Sequence, residues 1–281
     1  MSKKPYNPLM KIFYLGPEGT NSDLAARNIF KNDDNQFMPL PSIEDIFEKV
    51  AMSHSYYGVI PFENSYQGVI NSSLNCLIDY DLKILKEFNF SVSHHFCSNN
   101  SVLDPMKVTK IASHPQVFGQ CNNWIRENFP KAEKIVTTST AEAALQSVAD
   151  KNLYCIANIH AIELFKLHSH HANIQDSADN KTRFLVIGKA IEEKGHNNKT
   201  SVMINIIDQP GSLMKILQPF TDLNINMTRI ETRPSRNNTY LHTFFIDFEG
   251  YYEDEAIVKL IQELESMSEE LRIIGSYQSL N

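Results

Sequence analysis

Short apolar runs alternate with helix-like stretches through the first two thirds of the chain, and this alternation indicates the fold class. Residues 11–15, 57–60 and 108–113 are rich in β-branched and aromatic side chains and predict strands. Residues 21–30 and 115–128 carry apolar side chains at the spacing of a helix face. Strands that alternate with helices predict an α/β domain with mostly parallel sheets covered on both faces.

A polar stretch at residues 191–199 (IEEKGHNNK) interrupts this alternation. After it the chain reads strand, helix, two strands joined around residues 234–239, helix and strand. That order predicts a βαββαβ ferredoxin-like unit, which has the size of a small regulatory domain. We therefore predict one domain at residues 11–190 and a second at residues 200–277.

The composition narrows the class of protein. Hydrophobic residues make up 42% of the chain and charged residues 21%, a balance typical of globular proteins. A net charge of -7 argues against a nucleic-acid-binding protein, which would present a basic face. The polar start has no signal-peptide character, and no apolar stretch approaches the roughly 18 residues of a membrane span. We predict a soluble, cytoplasmic protein.

Neither the cysteines nor the histidines show the spacing of a metal site. The cysteines form no CxxC pair, so we predict free, inert thiols at Cys76, Cys97, Cys121 and Cys155. The crowded histidines lack cysteine or carboxylate partners at helical spacing, so we predict solvent-facing loops at His94, His95, His168, His170 and His171. Neither pattern therefore predicts a metal site.

Two segments predict helix N-termini suited to an anion. Residues 16–20 (GPEGT) follow a predicted strand and open a helix, so free backbone N–H groups are expected there. Ser139, with Glu142 three residues later, fits a capping box. The alternative for each segment is an ordinary helix start without a ligand.

Three polar clusters lie at the ends of predicted strands or helices, and the first two are placed beyond the carboxyl ends of strands, where ligands gather in open α/β sheets. They are residues 61–65 (PFENS), residues 113–116 (SHPQ) with Gln120, and residues 180–184 (NKTRF), which lead into a strand. Amides, hydroxyls and one arginine make a suitable lining for a small polar anion.

Taken together, the motifs resemble those of the prephenate dehydratase family in order and spacing. The segments are residues 14–20, 58–65, 113–116, 139–144 and 180–184. Residues 208–213 (DQPGSL) and 230–235 (IETRPS) resemble the phenylalanine-binding motifs of that family's ACT domain. The resemblance covers residues 11–277. No chorismate mutase helices precede these residues, so the chain resembles the monofunctional form of the family.

The resemblance implies a fold and a reaction. The catalytic domain would resemble a type 2 periplasmic binding protein, with residues 11–85 and the segment after 174 in one lobe and residues 87–172 in the other. Prephenate would lose carbon dioxide and its ring hydroxyl to give phenylpyruvate in the cleft, without a cofactor. L-Phenylalanine would inhibit through the ACT domain of a homodimer or homotetramer.

The resemblance also implies roles for individual residues. Thr182 would donate to the departing hydroxyl or only position it, and Arg183 would grip a substrate carboxylate. The other residues expected to shape the site are Thr20, Glu63, Asn64, Ser113, Gln120, Ser139, Thr140 and Phe184. The effector would contact Asp208, Pro210, Gly211, Ser212, Leu213, Glu231, Thr232 and Arg233.

Two positions depart from the family pattern and leave alternatives open. Asn21 and Asp23 replace the usual aromatic residue and histidine, and Asp23 would add negative charge near a dianionic substrate unless it points away. The alternatives are arogenate dehydratase, a ligand-binding relative that has lost its chemistry, and an ACT domain that only dimerises the chain.

Overall fold

The computed structural model describes residues 10–31, 34–177, 179–191, 193–234 and 241–280. The first part of the chain contains β1 (Lys11–Leu15), α1 (Asn21–Ile29), β2 (Gln36–Leu40), α2 (Ile43–Ala51), β3 (Tyr56–Asn64), β4 (Gly68–Val69), α3 (Asn71–Asp79) and β5 (Lys83–Ser91). The middle part contains β6 (His95–Ser98), β7 (Lys110–Ser113), α4 (Pro115–Gln120), α5 (Asn122–Asn128), β8 (Glu133–Val136), α6 (Thr140–Ala149), β9 (Leu153–Ala157), α7 (Ile159–Phe165) and β10 (His168–His171). The last part contains β11 (Lys181–Gly188), β12 (Asn198–Ile207), α8 (Ser212–Asp222), β13 (Met227–Pro234), β14 (Leu241–Glu249), α9 (Glu255–Met267) and β15 (Glu270–Leu280).

Two sheets divide the α/β part of the chain into two lobes. Lobe one contains β2-β1-β3-β11-β5, with β4 beside β3, and lobe two contains the five-stranded sheet β10-β6-β9-β7-β8. The chain enters lobe two after β5 and returns to lobe one at β11, which confirms the predicted two-lobed architecture. The sheets are mixed rather than mostly parallel, because β11 pairs antiparallel with both β3 and β5.

The last part of the chain has the predicted βαββαβ order, and its sheet continues that of lobe one. Strand β15 pairs in parallel with β5, so one ten-stranded sheet runs through both units. At this junction a Cβ on Gly275 would lie 2.6 Å from the Ile84 carbonyl oxygen, so glycine permits the close approach. Because one sheet runs through both units, the predicted domain limits stay a prediction.

A shared hydrophobic core reinforces the junction. Phe245, Ile274 and Tyr277 of the ferredoxin-like unit belong to the same buried cluster as Phe13 and Ile187 of lobe one. A second cluster, between α8, α9 and the outer face of their own sheet, belongs to the ferredoxin-like unit alone. The unit is therefore packed against lobe one while keeping its own core.

Several local predictions need correction. The predicted loop at residues 168–171 is the edge strand β10, which pairs with β6. The helix predicted from residue 68 begins only at Asn71, because Gly68 and Val69 pair with β3. Tyr240 and residues 235–239, predicted as a strand start and a connection, lie outside the described residues. Among the helices that are described, none combines the length and hydropathy needed to cross a membrane.

Candidate active site

A cavity of about 270 Å³ lies between the two lobes. Its walls come from the ends of strands and the starts of helices on both sides, as expected for an α/β ligand site. The residues predicted from the sequence that line it are Thr20, Asn64, Gln120, Ser139, Thr140, Thr182 and Phe184.

Strand alternation decides which residues of β11 reach the cavity. Thr182 and Phe184 face it, whereas the intervening Arg183 points to the opposite face of the sheet. There the Arg183 guanidinium donates to Glu87 at 2.8 Å and to Asp247 at 2.8 Å. Contrary to the prediction, the structure does not place Arg183 where it could grip a carboxylate in the cavity.

Two further predicted residues also lie outside the cavity wall. The Ser113 hydroxyl is fully buried and donates to the Ile156 carbonyl oxygen at 2.8 Å, so it ties β7 to β9. The Glu63 carboxylate lies 3.5 Å from the guanidinium of Arg229 on β13. These side chains support the site from behind and do not face a ligand.

A chain of amides fixes the orientation of the Thr182 hydroxyl. The Tyr66 backbone N–H donates to Asn64 Oδ1 at 3.0 Å, so the Asn64 amide nitrogen must point the other way. That nitrogen donates to Thr182 Oγ1 at 3.0 Å and to Asn180 Oδ1 at 3.2 Å. Asn180 in turn donates to Gln120 Oε1 at 3.1 Å. Thr182 thus accepts a hydrogen bond, and its own hydrogen has no acceptor among the described residues.

His94 is a cavity residue that the sequence analysis missed. It is buried, and its Nε2 lies 2.7 Å from Gln120 Oε1, which makes Nε2 the donor. Burial lowers the pKa of His94, which the hydrogen bond to Gln120 only partly opposes. The predicted solvent-facing loop is therefore wrong at this position. The signal was present, because Val92, His94 and Phe96 alternate with the polar Ser91, Ser93 and His95 as an inward face does.

Two helix N-termini reach the cavity. Thr20 caps α1, where its hydroxyl oxygen accepts from the Asp23 N–H at 3.4 Å. Ser139 caps α6 and accepts from the Glu142 N–H at 3.0 Å. The Glu142 carboxylate reaches Thr138, at 2.7 Å from its N–H, rather than the Ser139 N–H of a full capping box. Both helix starts favour a negatively charged ligand.

The cavity wall carries little fixed charge. Among the described residues that line it there is no aspartate, glutamate, lysine or arginine. Its two histidines are His94 and His114, and burial lowers the pKa of both imidazoles. Attraction for an anion therefore comes from hydroxyls, amides and helix dipoles.

Asp23, one of the two departures from the family pattern, points away from the cavity. It is completely buried and accepts from Gly19 N–H, Arg27 Nε and His160 Nε2, each at 2.8 Å. Burial alone would raise the pKa of Asp23, but the hydrogen bonds from His160, Gly19 and Arg27 lower it overall. Since His160 belongs to lobe two, Asp23 joins the two lobes. Asn21, the other departure, does line the cavity.

We expect Asp23→Asn to lower the free energy of unfolding by about 2 kcal/mol at pH 7. Because the pKa of Asp23 is lowered by folding, its charge stabilises the fold above the unfolded-state pKa of about 3.9. This contribution is lost as the pH falls through the lower folded-state value. Urea unfolding should therefore show a smaller difference in the free energy of unfolding between Asp23→Asn and the unmodified protein at pH 3 than at pH 7.

The matched control is Glu18→Gln. Glu18 pairs with the same Arg27 at 3.2 Å, but it is half exposed, so the change should cost less than about 0.5 kcal/mol. An equal loss of stability in Asp23→Asn at both pH values would contradict the assigned role of the carboxylate charge.

A second cavity, of about 320 Å³, lies at the start of α8. Four of the predicted effector residues line it, namely Asp208, Gly211, Ser212 and Leu213. Pro210, Glu231, Thr232 and Arg233 do not, and Arg233 instead contacts Glu231 and Asn71. His242 was missed, and its Nε2 lies 3.3 Å from an Asp208 carboxylate oxygen.

Comparison with known families now identifies the two units. Residues 12–192 match the sequence model of the family described as prephenate dehydratase. The chain belongs to the prephenate dehydratase family. Residues 200–266 match the ACT domain, which accounts for the ferredoxin-like unit. The chain is accordingly an enzyme of phenylalanine biosynthesis, a carbon–oxygen lyase with an ACT regulatory domain.

Curated relatives agree with this assignment. The chain is 34% identical to the bifunctional chorismate mutase/prephenate dehydratase of Pseudomonas aeruginosa over 95% of its length and 73% of the relative. It is 32% identical to the prephenate dehydratase of Methanocaldococcus jannaschii, over 95% of this chain and 97% of the relative.

Solved structures share the whole fold. A prephenate dehydratase from Arthrobacter aurescens, in complex with L-Phe, has a TM-score of 0.88 and 26% identity and covers 95% of this chain and 90% of its own. A protein described as GqqA, a novel type of quorum quenching acylase, has a TM-score of 0.86 and 25% identity. The match covers 96% of this chain and 98% of that protein.

Proposed function

We propose that prephenate loses carbon dioxide and its ring hydroxyl in the cavity between the lobes, and that Thr182 donates a hydrogen bond to the departing hydroxyl. The supporting observation is the Asn64 amide, which donates to Thr182 Oγ1 at 3.0 Å. This contact leaves the Thr182 hydrogen available to a ligand.

The charge balance of the reaction suits this cavity. Prephenate is a dianion, and with one proton it gives the phenylpyruvate anion, carbon dioxide and water. Negative charge develops on the leaving oxygen as the ring becomes aromatic. The formation of the aromatic ring supplies the driving force. A threonine hydroxyl is a weak acid, so Thr182 acts by hydrogen bonding to that oxygen rather than by supplying the proton.

The remaining residues hold the substrate. The α1 and α6 N-termini, with Thr20, Ser139 and Thr140, bind the carboxylates in place of the arginine expected from the sequence. Asn64 and Gln120 orient the substrate through the amide chain, and Phe184 packs against its ring.

The absence of a carboxylate among the described residues that line the cavity favours prephenate over arogenate. Arogenate carries an ammonium group where prephenate has a ketone, and no described lining residue offers a carboxylate to pair with it. We expect kcat/KM to be at least about tenfold higher for prephenate than for arogenate. Gln67→Glu, which adds a carboxylate to the wall, should narrow this ratio. Equal kcat/KM for the two substrates in the unmodified enzyme would contradict the proposal.

We also propose that L-phenylalanine binds the cavity at α8 and inhibits the enzyme. The apolar Leu213 and Phe244 suit a phenyl ring, and the α8 N-terminus suits a carboxylate. The Arthrobacter relative of the same fold binds L-Phe. We further propose a cytoplasmic homodimer or homotetramer assembled through the ACT domain.

The first test is phenylpyruvate formation by the purified chain from prephenate, with and without L-phenylalanine. Turnover that decreases with added L-phenylalanine supports both assignments. Folded protein that releases no phenylpyruvate would overturn the proposed site and favour a relative that binds ligands without turning them over.

A further inference from the structure

A buried ionic cluster joins the back of lobe one to the ACT domain. At its centre, Arg183 of β11 donates to Glu87 of β5 at 2.8 Å and to Asp247 of β14 at 2.8 Å. It also donates to the Tyr277 hydroxyl of β15 at 3.0 Å. The Arg183 side chain is only 12% exposed, and Glu87 is fully buried. The substrate-binding role first expected of Arg183 therefore does not explain this set of contacts.

The cluster is balanced in charge and closed by polar contacts. Lys199 Nζ lies 2.5 Å from the second Glu87 oxygen, so two cations meet the two carboxylates of Glu87 and Asp247. The Ser201 hydroxyl donates to Asp247 at 2.6 Å. Removing one partner of such a buried set leaves an uncompensated charge, so separating Arg183 from Glu87 or Asp247 costs free energy.

The cluster lies directly behind Thr182 and Asn64, on the opposite face of the sheet. In the sheet, Thr182 is opposite Asn64 and Arg183 is opposite Glu63. Alternation directs the first pair to the cavity and the second pair to the ACT domain. Adjacent residues on the same two strands thus contact the ligand site on one face and the ACT domain on the other. A shift of the β11 backbone at Arg183 therefore also moves Thr182, its neighbour on the same strand.

The strands of the ACT domain that contribute to this cluster also reach the cavity at α8. We call it the effector cavity, because we propose that L-phenylalanine binds there. Strand β14 carries Asp247 in the cluster, and its Phe244 and His242 line the cavity at α8. Strand β12 carries Ser201 in the cluster, and its Ile206 lines that cavity. Two hydrogen-bonded neighbouring strands therefore connect the effector cavity to Arg183.

We propose that Arg183 is a positioning residue that holds Thr182 in place, and that the ACT domain controls this position through Asp247 and Tyr277. The inference rests on the proposed roles of Thr182 and L-phenylalanine. An effector that binds one arrangement of β12 and β14 more tightly shifts the population of that arrangement, and with it the position of Thr182.

The first experiment is Arg183→Lys in the full chain. Lysine keeps the positive charge but lacks the planar fork that contacts three partners at once. We expect kcat to fall about tenfold with KM within about twofold of the unmodified enzyme, because the substrate itself is not contacted. A raised KM with unchanged kcat would show direct substrate binding and overturn the proposal, as would unchanged values of both in folded protein.

The second experiment separates coupling from stability. Tyr277→Phe removes only the hydroxyl that Arg183 contacts, whereas Ser276→Ala removes a buried hydroxyl from the adjacent residue, which contacts Thr200 at 3.0 Å instead. We expect Tyr277→Phe to reduce at least about fivefold the factor by which saturating L-phenylalanine lowers kcat/KM. Ser276→Ala should leave that factor within about twofold of the unmodified value.

Calorimetry with L-phenylalanine keeps the outcomes distinct. If Tyr277→Phe binds L-phenylalanine and is inhibited as strongly as the unmodified enzyme, the proposed coupling is wrong. If the unmodified enzyme binds no L-phenylalanine, the effector assignment fails, and the Arg183→Lys kinetics alone decide the positioning role. Should Arg183→Lys not fold, the kcat and KM of the more conservative Tyr277→Phe decide it, with a fall in kcat alone expected.

Discussion

Thr182→Val is expected to lower kcat for phenylpyruvate formation by about 10²–10³-fold with little change in KM. Valine keeps the shape of threonine and its preference for a strand, so β11 should be preserved. The hydroxyl that we propose faces the leaving oxygen is lost, and with it a hydrogen bond that would strengthen as charge develops. Steady-state kinetics with prephenate measure both constants.

Two matched variants identify the cause of this loss. Thr182→Ser keeps the hydroxyl and should retain most of the activity. Thr200→Val removes a buried threonine hydroxyl that donates to Gly250 and does not line the cavity, and this change should leave kcat unchanged. If Thr182→Val and Thr200→Val have the same kcat, the hydroxyl of Thr182 has no role in the reaction.

Gly211→Val is expected to weaken inhibition by L-phenylalanine at least about tenfold while activity without the effector is retained. Gly211 has a φ of 87° and is the N-cap of α8, at the wall of the effector cavity. A β-branched residue is strained in this left-handed conformation, by about 1–2 kcal/mol or more, so the start of α8 must shift. Inhibition curves and calorimetry with L-phenylalanine check the prediction.

Gly211→Asn distinguishes backbone strain from added bulk. Asparagine tolerates a left-handed conformation, and no atom lies within 4 Å of a Cβ built at this position. It should therefore weaken inhibition less than valine does. Inhibition unchanged in Gly211→Val would place the effector away from this helix start.

Local patterns were sufficient for many features of the fold. The period-two and period-3.6 runs predicted most strands and helices, because a half-buried element repeats its apolar positions whatever it packs against. The βαββαβ order of the ACT domain followed in the same way. The histidine-rich strand β10 was missed, since its polar residues gain their pairing from a neighbouring strand and not from local preference.

The same distinction applies to the site. Motif spacing marked the segments that hold Thr20, Asn64, Ser139 and Thr182, because a residue at a strand end or a helix start has a local signature. It could not assign adjacent residues to opposite faces without knowing which face meets the cavity. Arg183 was therefore placed beside the substrate, although the neighbouring strands direct it to the ACT domain.

The sequence by itself determined the α/β class, the order of most elements, the family and the two helix N-termini, since each depends on local patterns and on their order along the chain. Only the tertiary structure decided the ten-stranded sheet through β5 and β15, the burial of His94 and Asp23, and the cluster around Arg183. Those features depend on contacts between residues far apart in the chain, such as Arg183 with Glu87 and Gly275 with Ile84, which no local pattern specifies.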